Sequence, residues 1–388
     1  MDASISSIPS FATARTRPIS AKVWVPAWIA SPTPDRRDGP EGASLTFEKQ
    51  TIRQDIRLGA SAERLRIRIS NELGITPLRV GRATVRHIDG SDRETPLRFD
   101  GHPEIIIPVG TAMLSDPVPL ALPARARIAL SLYFPERTYP TVRRTALRIA
   151  QGEADIPDEA PMVYRQGVVA AVLAERIEAP RVIVAFGDSI TEGADAGVGT
   201  EGDWPAILGQ RLHYAYPDRF VVLNAGISGN KVLGPGRSPS ALARLDRDVL
   251  SLPGVTDVIL LEGINDIRDG APPEGGPKRS AEEVIHGYRQ IIARLQEHRI
   301  RTIGATLTPF AGADRYEPEA SRTRQALNAF IRNEGAFGAA IDFDAYIRDP
   351  DSPESIMAGL SDDRLHPNAS GLSVMAESID LSLFGCDD

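Results

Sequence analysis

Apolar and polar residues alternate along the first part of the chain. In the second part, short apolar runs are separated by stretches with helical spacing. Leu65-Arg66-Ile67-Arg68-Ile69-Ser70 has a period of two, so an extended segment there has one apolar face and one charged face. Similar segments recur at 78–85, 104–109, 126–134 and 167–174, separated by turn pairs such as Asp89-Gly90, Asp100-Gly101 and Val109-Gly110. Nothing between Val23 and Ala174 reads as a long amphipathic helix. This part of the chain predicts an all-β sandwich or jelly roll.

After Pro180 the pattern changes. Candidate strands lie at 182–186, 220–223, 258–261, 302–306 and 340–343, and candidate helices at 204–214, 240–250, 281–298, 318–333 and 370–383. Asp203 before Trp204-Pro205 reads as a helix start, with a capping carboxylate and a proline in the first turn. Five β–α units predict a parallel sheet covered by helices on both faces. The acidic stretch 152–161 and the polar stretch 175–180 mark where the architecture changes. The expected organisation is a flexible segment over 1–20, a β-sandwich accessory domain over 21–177 and an α/β domain over 178–388.

The composition is that of a globular protein, with 42% apolar and 25% charged residues among 388. No apolar run approaches the ~20 residues a membrane span needs, and the N-terminus as written lacks the apolar stretch expected of a signal peptide. A net charge of −8 argues against a nucleic-acid partner. Of the 44 basic residues four are lysines, Lys22, Lys49, Lys231 and Lys278. The arginines alternate with Asp and Glu, which reads as solvated faces and surface ion pairs. The single cysteine, Cys386, excludes an intrachain disulfide and a cysteine-based zinc site.

In an open parallel sheet, sites form at the carboxyl ends of the strands. Those ends carry Gly187-Asp188-Ser189, Asn224-Ala225-Gly226, Gly263-Ile264-Asn265-Asp266 and Asp363-Arg364-Leu365-His366. A serine hydroxyl needs a base to become a nucleophile, and histidine serves that purpose near neutrality. His87 and His102 fall in the β-rich half, while His213, His286 and His298 fall on helical patterns. His366 alone sits in a loop before the last helix, three residues after Asp363, a spacing at which a carboxylate can orient the imidazole. The N–H groups of Ser189 and Gly226 and the amide of Asn265 supply candidate donors for the oxyanion of a tetrahedral intermediate. Together these residues predict acyl transfer without a metal or cofactor.

These four blocks resemble the SGNH hydrolases, also called GDSL-type esterases and lipases. Ser189 lies in Gly-Asp-Ser-Ile, where Ile190 stands for the usual leucine, and Gly226, Asn265 and the Asp363/His366 pair follow in order. The resemblance covers about 181–384. It implies a three-layer, flavodoxin-like α/β/α fold with five parallel strands. Trp24-Val25-Pro26-Ala27-Trp28, with 50–57 and 64–71, resembles the front of a bacterial two-domain branch of arylesterase- and acetylxylan-esterase-like proteins. That branch implies hydrolysis of short-acyl esters, of aryl or acetylated carbohydrate type, and export to the periplasm or beyond. If Met1 is the native start, the expectation is cytoplasmic.

Two motifs read as decoys. Gly197-Val198-Gly199-Thr200-Glu201-Gly202 spells a dinucleotide fingerprint but does not follow a strand directly, so it reads as a flexible loop beside the site. Asp342, Asp344, Asp349 and Asp351 lack the spacing of a calcium loop and read as a solvated acidic loop. The rival functions are a thioesterase or amidase with the same machinery, and a carbohydrate-binding protein with a secondary hydrolase domain. The oligomeric state is open.

Overall fold

The computed structural model describes residues 22–35, 46–90, 93–269, 278–333 and 335–385. The segment 1–20 and Cys386 lie outside the described residues.

The first twelve strands form the N-terminal part. They are β1 (Val23–Ile29), β2 (Gln50–Arg57), β3 (Arg64–Ser70), β4 (Leu78–Val80), β5 (Ala83–His87), β6 (Thr95–Pro96), β7 (Ile105–Ile107), β8 (Ala112–Leu114), β9 (Arg127–Phe134), β10 (Arg144–Gln151), β11 (Val163–Gln166) and β12 (Val169–Arg176). One antiparallel sheet has the order β1-β12-β3-β8, a second has β11-β10-β2-β9-β5-β6, and β4 pairs with β7. The alternation in β3 works as expected, since Leu65, Ile67 and Ile69 are fully buried and the arginines between them are not. The segment 78–85 is two strands rather than one, because the chain bends at Gly81-Arg82 and β4 and β5 join different sheets.

The C-terminal part is built on β13 (Arg181–Gly187), β14 (Phe220–Gly226), β15 (Val255–Leu261), β16 (Arg301–Ala305) and β17 (Ala339–Ile341). They pair in parallel in the order β14-β13-β15-β16-β17. This is the 2-1-3-4-5 order of doubly wound sheets, whose strand order reverses around β13. Residues Val182 through Gly187 are buried without alternation, as a strand covered on both faces requires. The helices are α1 (Ser189–Glu192), α2 (Trp204–Ala215), α3 (Ala241–Leu245), α4 (Ile264–Arg268), α5 (Ala281–Glu297), α6 (Pro318–Asn333), α7 (Phe343–Ile347) and α8 (Ala369–Ser378). Asp203 caps α2 as its sequence foretells, accepting from the Ala206 N–H at 3.0 Å. Several ends differ from expectation, three of them for a local reason. The 240–250 helix closes as a π turn over Asp246–Leu250, the 370–383 helix breaks before a short 3₁₀ turn, and β17 stops at Ile341 because Asp342 caps α7.

The acidic loop is corrected by these contacts. Asp342 pairs with Arg332, and Asp344 is buried against Arg324 at 2.6 Å and Arg332 at 2.7 Å. Both carboxylates are structural ion-pair partners. The arginines are likewise not all surface groups, since Arg53, Arg244 and Arg324 are among the largest fully buried side chains.

The two parts meet along β1 and β14, and their buried residues form one continuous apolar cluster. Arg247 donates to the Pro32 carbonyl at 3.1 Å, and the Tyr164 hydroxyl donates to Glu192 at 3.1 Å. The Gly197–Gly202 loop lines a cavity of about 200 Å³ between the parts, beside Arg57 and Arg125. It follows α1 rather than a strand, as its sequence context suggests.

Candidate active site

Strand β13 ends at Gly187, and Asp188 turns the chain into α1 by accepting the Ile190 N–H at 2.9 Å. That turn places Ser189 at the start of α1. Burial pushes the Asp188 carboxyl up to about 6, against the pull of the Ile190 N–H and of His366. The Ser189 hydroxyl lies 2.8 Å from His366 Nε2, and His366 Nδ1 lies 2.6 Å from Asp363 Oδ2. The other Asp363 oxygen accepts the backbone N–H groups of His366 at 2.7 Å and Leu365 at 2.9 Å. Burial acts to raise the Asp363 carboxyl, but these bonds outweigh it and hold the group below the usual carboxylate range. An ionised Asp363 therefore faces the imidazole and fixes the tautomer that leaves Nε2 able to accept from Ser189. The structure brings Ser189, His366 and Asp363 together in one chain of hydrogen bonds.

Asn265 begins the cleft wall on α4. One hydrogen of its amide donates to the Asn230 carbonyl at 2.9 Å, which fixes the side chain and leaves the second hydrogen for the cleft. The next residue anchors the same loop. Asp266 accepts the N–H groups of Val232 at 2.8 Å and Leu233 at 2.9 Å, and burial pushes its carboxyl up to about 7.

Gly226 does not occupy the place expected of it. Its N–H is taken by the Asn224 side chain at 2.9 Å, and it does not line the cleft. A Cβ on Gly226 would stand 2.2 Å from the Glu192 nitrogen, so the glycine lets α1 pack directly on β14. Gly229 lines the cleft instead, together with Ser189, Asn265 and His366. Its φ of 73° is the left-handed conformation that glycine adopts without strain. Among the described residues neither the Gly229 N–H nor the Ser189 N–H has a hydrogen-bond partner. The Ser228-Gly229-Asn230 turn was the available sequence signal.

Several further residues escaped sequence reasoning. Glu192, almost fully buried, accepts the Ser228 N–H with one oxygen and the Tyr164 hydroxyl with the other. Arg144 of β10 lines the cleft, donates to the Ser228 hydroxyl at 3.1 Å and lies 4.8 Å over the Tyr164 ring. The β part therefore reaches the cleft, where Arg144 forms part of the wall. Arg244 ties the strand ends from beneath. It donates to the carbonyls of Gly187 at 2.9 Å and Ala225 at 2.8 Å, and to Asn230 Oδ1 and Asp248 at 2.8 and 2.9 Å. Its only sequence signal is Asp248 four residues on.

One group of side chains could approach a metal ion. Ligand atoms of Asp195, Asp363 and His366 lie within 4.8 Å of one another, and two of these residues already belong to the serine–histidine–aspartate chain.

Residues 185–373 match the family of GDSL-like lipases and acylhydrolases. Over those residues the α/β part is similar to the GDSL-like (SGNH) superfamily, and the protein is a carboxylic ester hydrolase. Similar solved structures include a single-residue mutant of Axe2, an acetyl-xylooligosaccharide esterase from Geobacillus Stearmophilus. It is 24% identical over 54% of this chain and 96% of its own, with a TM-score of 0.42. The α/β hydrolase LAE5, from the metagenome of Lake Arreo in Spain, is 25% identical over 54% of this chain and 97% of its own, with a TM-score of 0.42. A member of the lipolytic G-D-S-L family from Veillonella parvula is 21% identical over 53% and 97%, with a TM-score of 0.39. No curated protein matches the chain. Among the described residues no helix is long and apolar enough to cross a membrane.

Proposed function

We propose that this protein hydrolyses carboxylic esters of short acyl groups through an acyl-enzyme on Ser189. His366 takes the serine proton as the hydroxyl oxygen attacks the ester carbonyl. Asp363 holds the ring and stabilises the imidazolium that forms. The Ser189 N–H, the Gly229 N–H and the Asn265 amide receive the charge on the former carbonyl oxygen. His366 then returns the proton to the leaving alkoxide, and water repeats the sequence to release the acid. The domain at 178–388 carries this chemistry, and the domain at 21–177 closes one side of the cleft.

The observation that carries this reading is the pair of contacts at 2.8 and 2.6 Å linking Ser189, His366 and Asp363 beside unpaired backbone donors. The test is labelling by a serine-directed phosphonate together with turnover of p-nitrophenyl esters. Wild-type protein should be labelled at Ser189, and Ser189→Ala should fold normally and lose turnover. Labelling at another residue, or turnover near the wild-type level in the variant, overturns the assignment.

A further inference from the structure

The protein carries a net charge of −8, yet cationic side chains outnumber carboxylates along the lining of its reaction cleft. The cleft, of about 490 Å³, is lined by five cationic side chains against three carboxylates. Arg144 comes from the β part, Lys231 and Arg237 from the loop after β14, Arg268 from the end of α4 and Arg315 from the loop after β16. The carboxylates are Asp195, Asp269 and Asp314.

Local pairing accounts for part of this charge. Asp269 holds Arg268 with two bonds, at 2.8 and 3.0 Å, and Asp314 lies 3.4 Å from Arg315. Arg144 shares the buried Glu192, 3.5 Å away, with the Tyr164 hydroxyl and the Ser228 N–H. Arg237 is exposed and has no ion-pair partner among the described residues. Its stem packs across Gly229, where a Cβ would stand 3.2 Å from its Cδ. The unpaired guanidinium is thus carried by the glycine whose N–H faces the cleft. Arg144 approaches the same turn from the other side, through Ser228.

We propose that the cleft selects esters that carry a carboxylate in addition to the scissile ester, with Arg237 and Arg144 receiving that carboxylate. This rests on the esterase reading above and narrows it to a substrate class. Guanidinium groups present paired donors that match a carboxylate, and a cationic cleft draws anionic substrates from solution. A neutral ester of the same shape gains neither effect. The carboxylate can belong to the acyl group, as in a dicarboxylic acid monoester, or to the alcohol, as in an acylated acid alcohol.

The test uses two pairs of esters matched except for charge. One pair is the p-nitrophenyl monoester of succinic acid and its methyl diester. The other is 4-acetoxybenzoate and its methyl ester. Rates with Ser189→Ala are subtracted as background, which removes the intramolecular hydrolysis of the succinate. We expect wild-type kcat/KM to favour the charged member of at least one pair by about tenfold, the worth of one charge-assisted hydrogen bond. The pair that shows it tells which side of the ester carries the anion. The preference should shrink with added salt and fall in Arg237→Gln and Arg144→Gln. Because the readout is a ratio within one preparation, a loss of folded protein does not imitate it. Turnover of the neutral esters with no preference in either pair overturns the substrate class and leaves the esterase reading standing. A preference that persists in both variants overturns the role of the two arginines. If no ester is turned over and Ser189 is not labelled, the esterase reading fails and this inference with it.

Discussion

In the proposed mechanism Asn265 has two jobs, and truncating it to alanine should show both. The catalytic job is donation to the oxyanion. Removing one such donor costs about 10²–10³ in kcat, or roughly 2.7–4 kcal/mol, because the bond matters most when the carbonyl oxygen carries charge. KM should move little, since the ground-state carbonyl gains less from the same donor. The structural job is the 2.9 Å bond to the Asn230 carbonyl, in a position where both residues are almost fully buried. Stranding that acceptor costs about 1–3 kcal/mol, which lowers Tm by roughly 2–12 °C in a domain of this size. Asn265→Asp should be worse on both counts. A carboxylate sets oxygen against the Asn230 carbonyl and negative charge against the developing oxyanion. The assay is kcat at 25 °C, well below the melting transition, paired with a thermal melt of the same preparation. A variant with lowered Tm and near-normal kcat would reduce Asn265 to a loop tie and remove it from the site.

Three further outcomes follow from the neighbouring contacts. Asp363→Asn loses the anion that holds His366, so kcat should fall by about 10⁴ while the fold persists, measured as burst and steady-state turnover of a p-nitrophenyl ester. Arg244→Met removes four hydrogen bonds under the strand ends, leaves Asp248 to Arg247 alone and takes away the cation 3.9 Å from the buried Glu262. It should therefore destabilise the α/β part by about 3–5 kcal/mol in urea unfolding, and a loss under 1 kcal/mol would show that the guanidinium is expendable. Asp266 binds its proton up to about pH 7 in the fold, whereas an unfolded aspartate releases it near 3.9. The unfolded state thus holds fewer protons between these values, and stability should fall as pH rises from about 4 to 7, by up to about 4 kcal/mol from this residue. Asp266→Asn should flatten that part of the urea-derived stability profile, and an unchanged slope would place the dependence on other buried acids.

Much of the fold was legible because periodicity reports burial, and burial decides the faces of strands and helices. The arginines of β3 alternate with Leu65, Ile67 and Ile69, so that strand could be read without its partners. Residues fully buried on both sides, as in β13, are readable as an apolar run before a glycine-containing turn. Ser189, His366 and Asp363 stood out as candidates for a similar reason. Each sits at a strand end or in a short loop, where a polar residue cannot be explained by packing. Gly226 was misread because two glycines stand three residues apart on one turn. Sequence does not tell which is wanted for its missing Cβ and which for its free N–H. The distinction depends on Asn224 and Glu192, which reach Gly226 from different elements.

The same limit explains why the β part's share of the site was hidden. Tyr164 and Arg144 meet Glu192 and Ser228 across 28 and 84 residues of chain. No local pattern marks an arginine for such a contact when arginines alternate with acids throughout the sequence. Yet the contact changes what the β part is for. Glu192 ends the short helix that Ser189 begins, and its carboxylate also holds the Ser228 N–H beside Gly229. Tyr164 and Arg144 thus grip, through one buried carboxylate and one hydroxyl, both the turn that presents the hydroxyl of Ser189 and the turn that presents the Gly229 N–H. A displacement of the β part by even an ångström would be felt at both, since positioning errors of that size cost orders of magnitude in acyl transfer. In the proposed mechanism the β part is thus a positioning element, by a route that runs through Glu192 rather than through any group that touches the ester carbonyl.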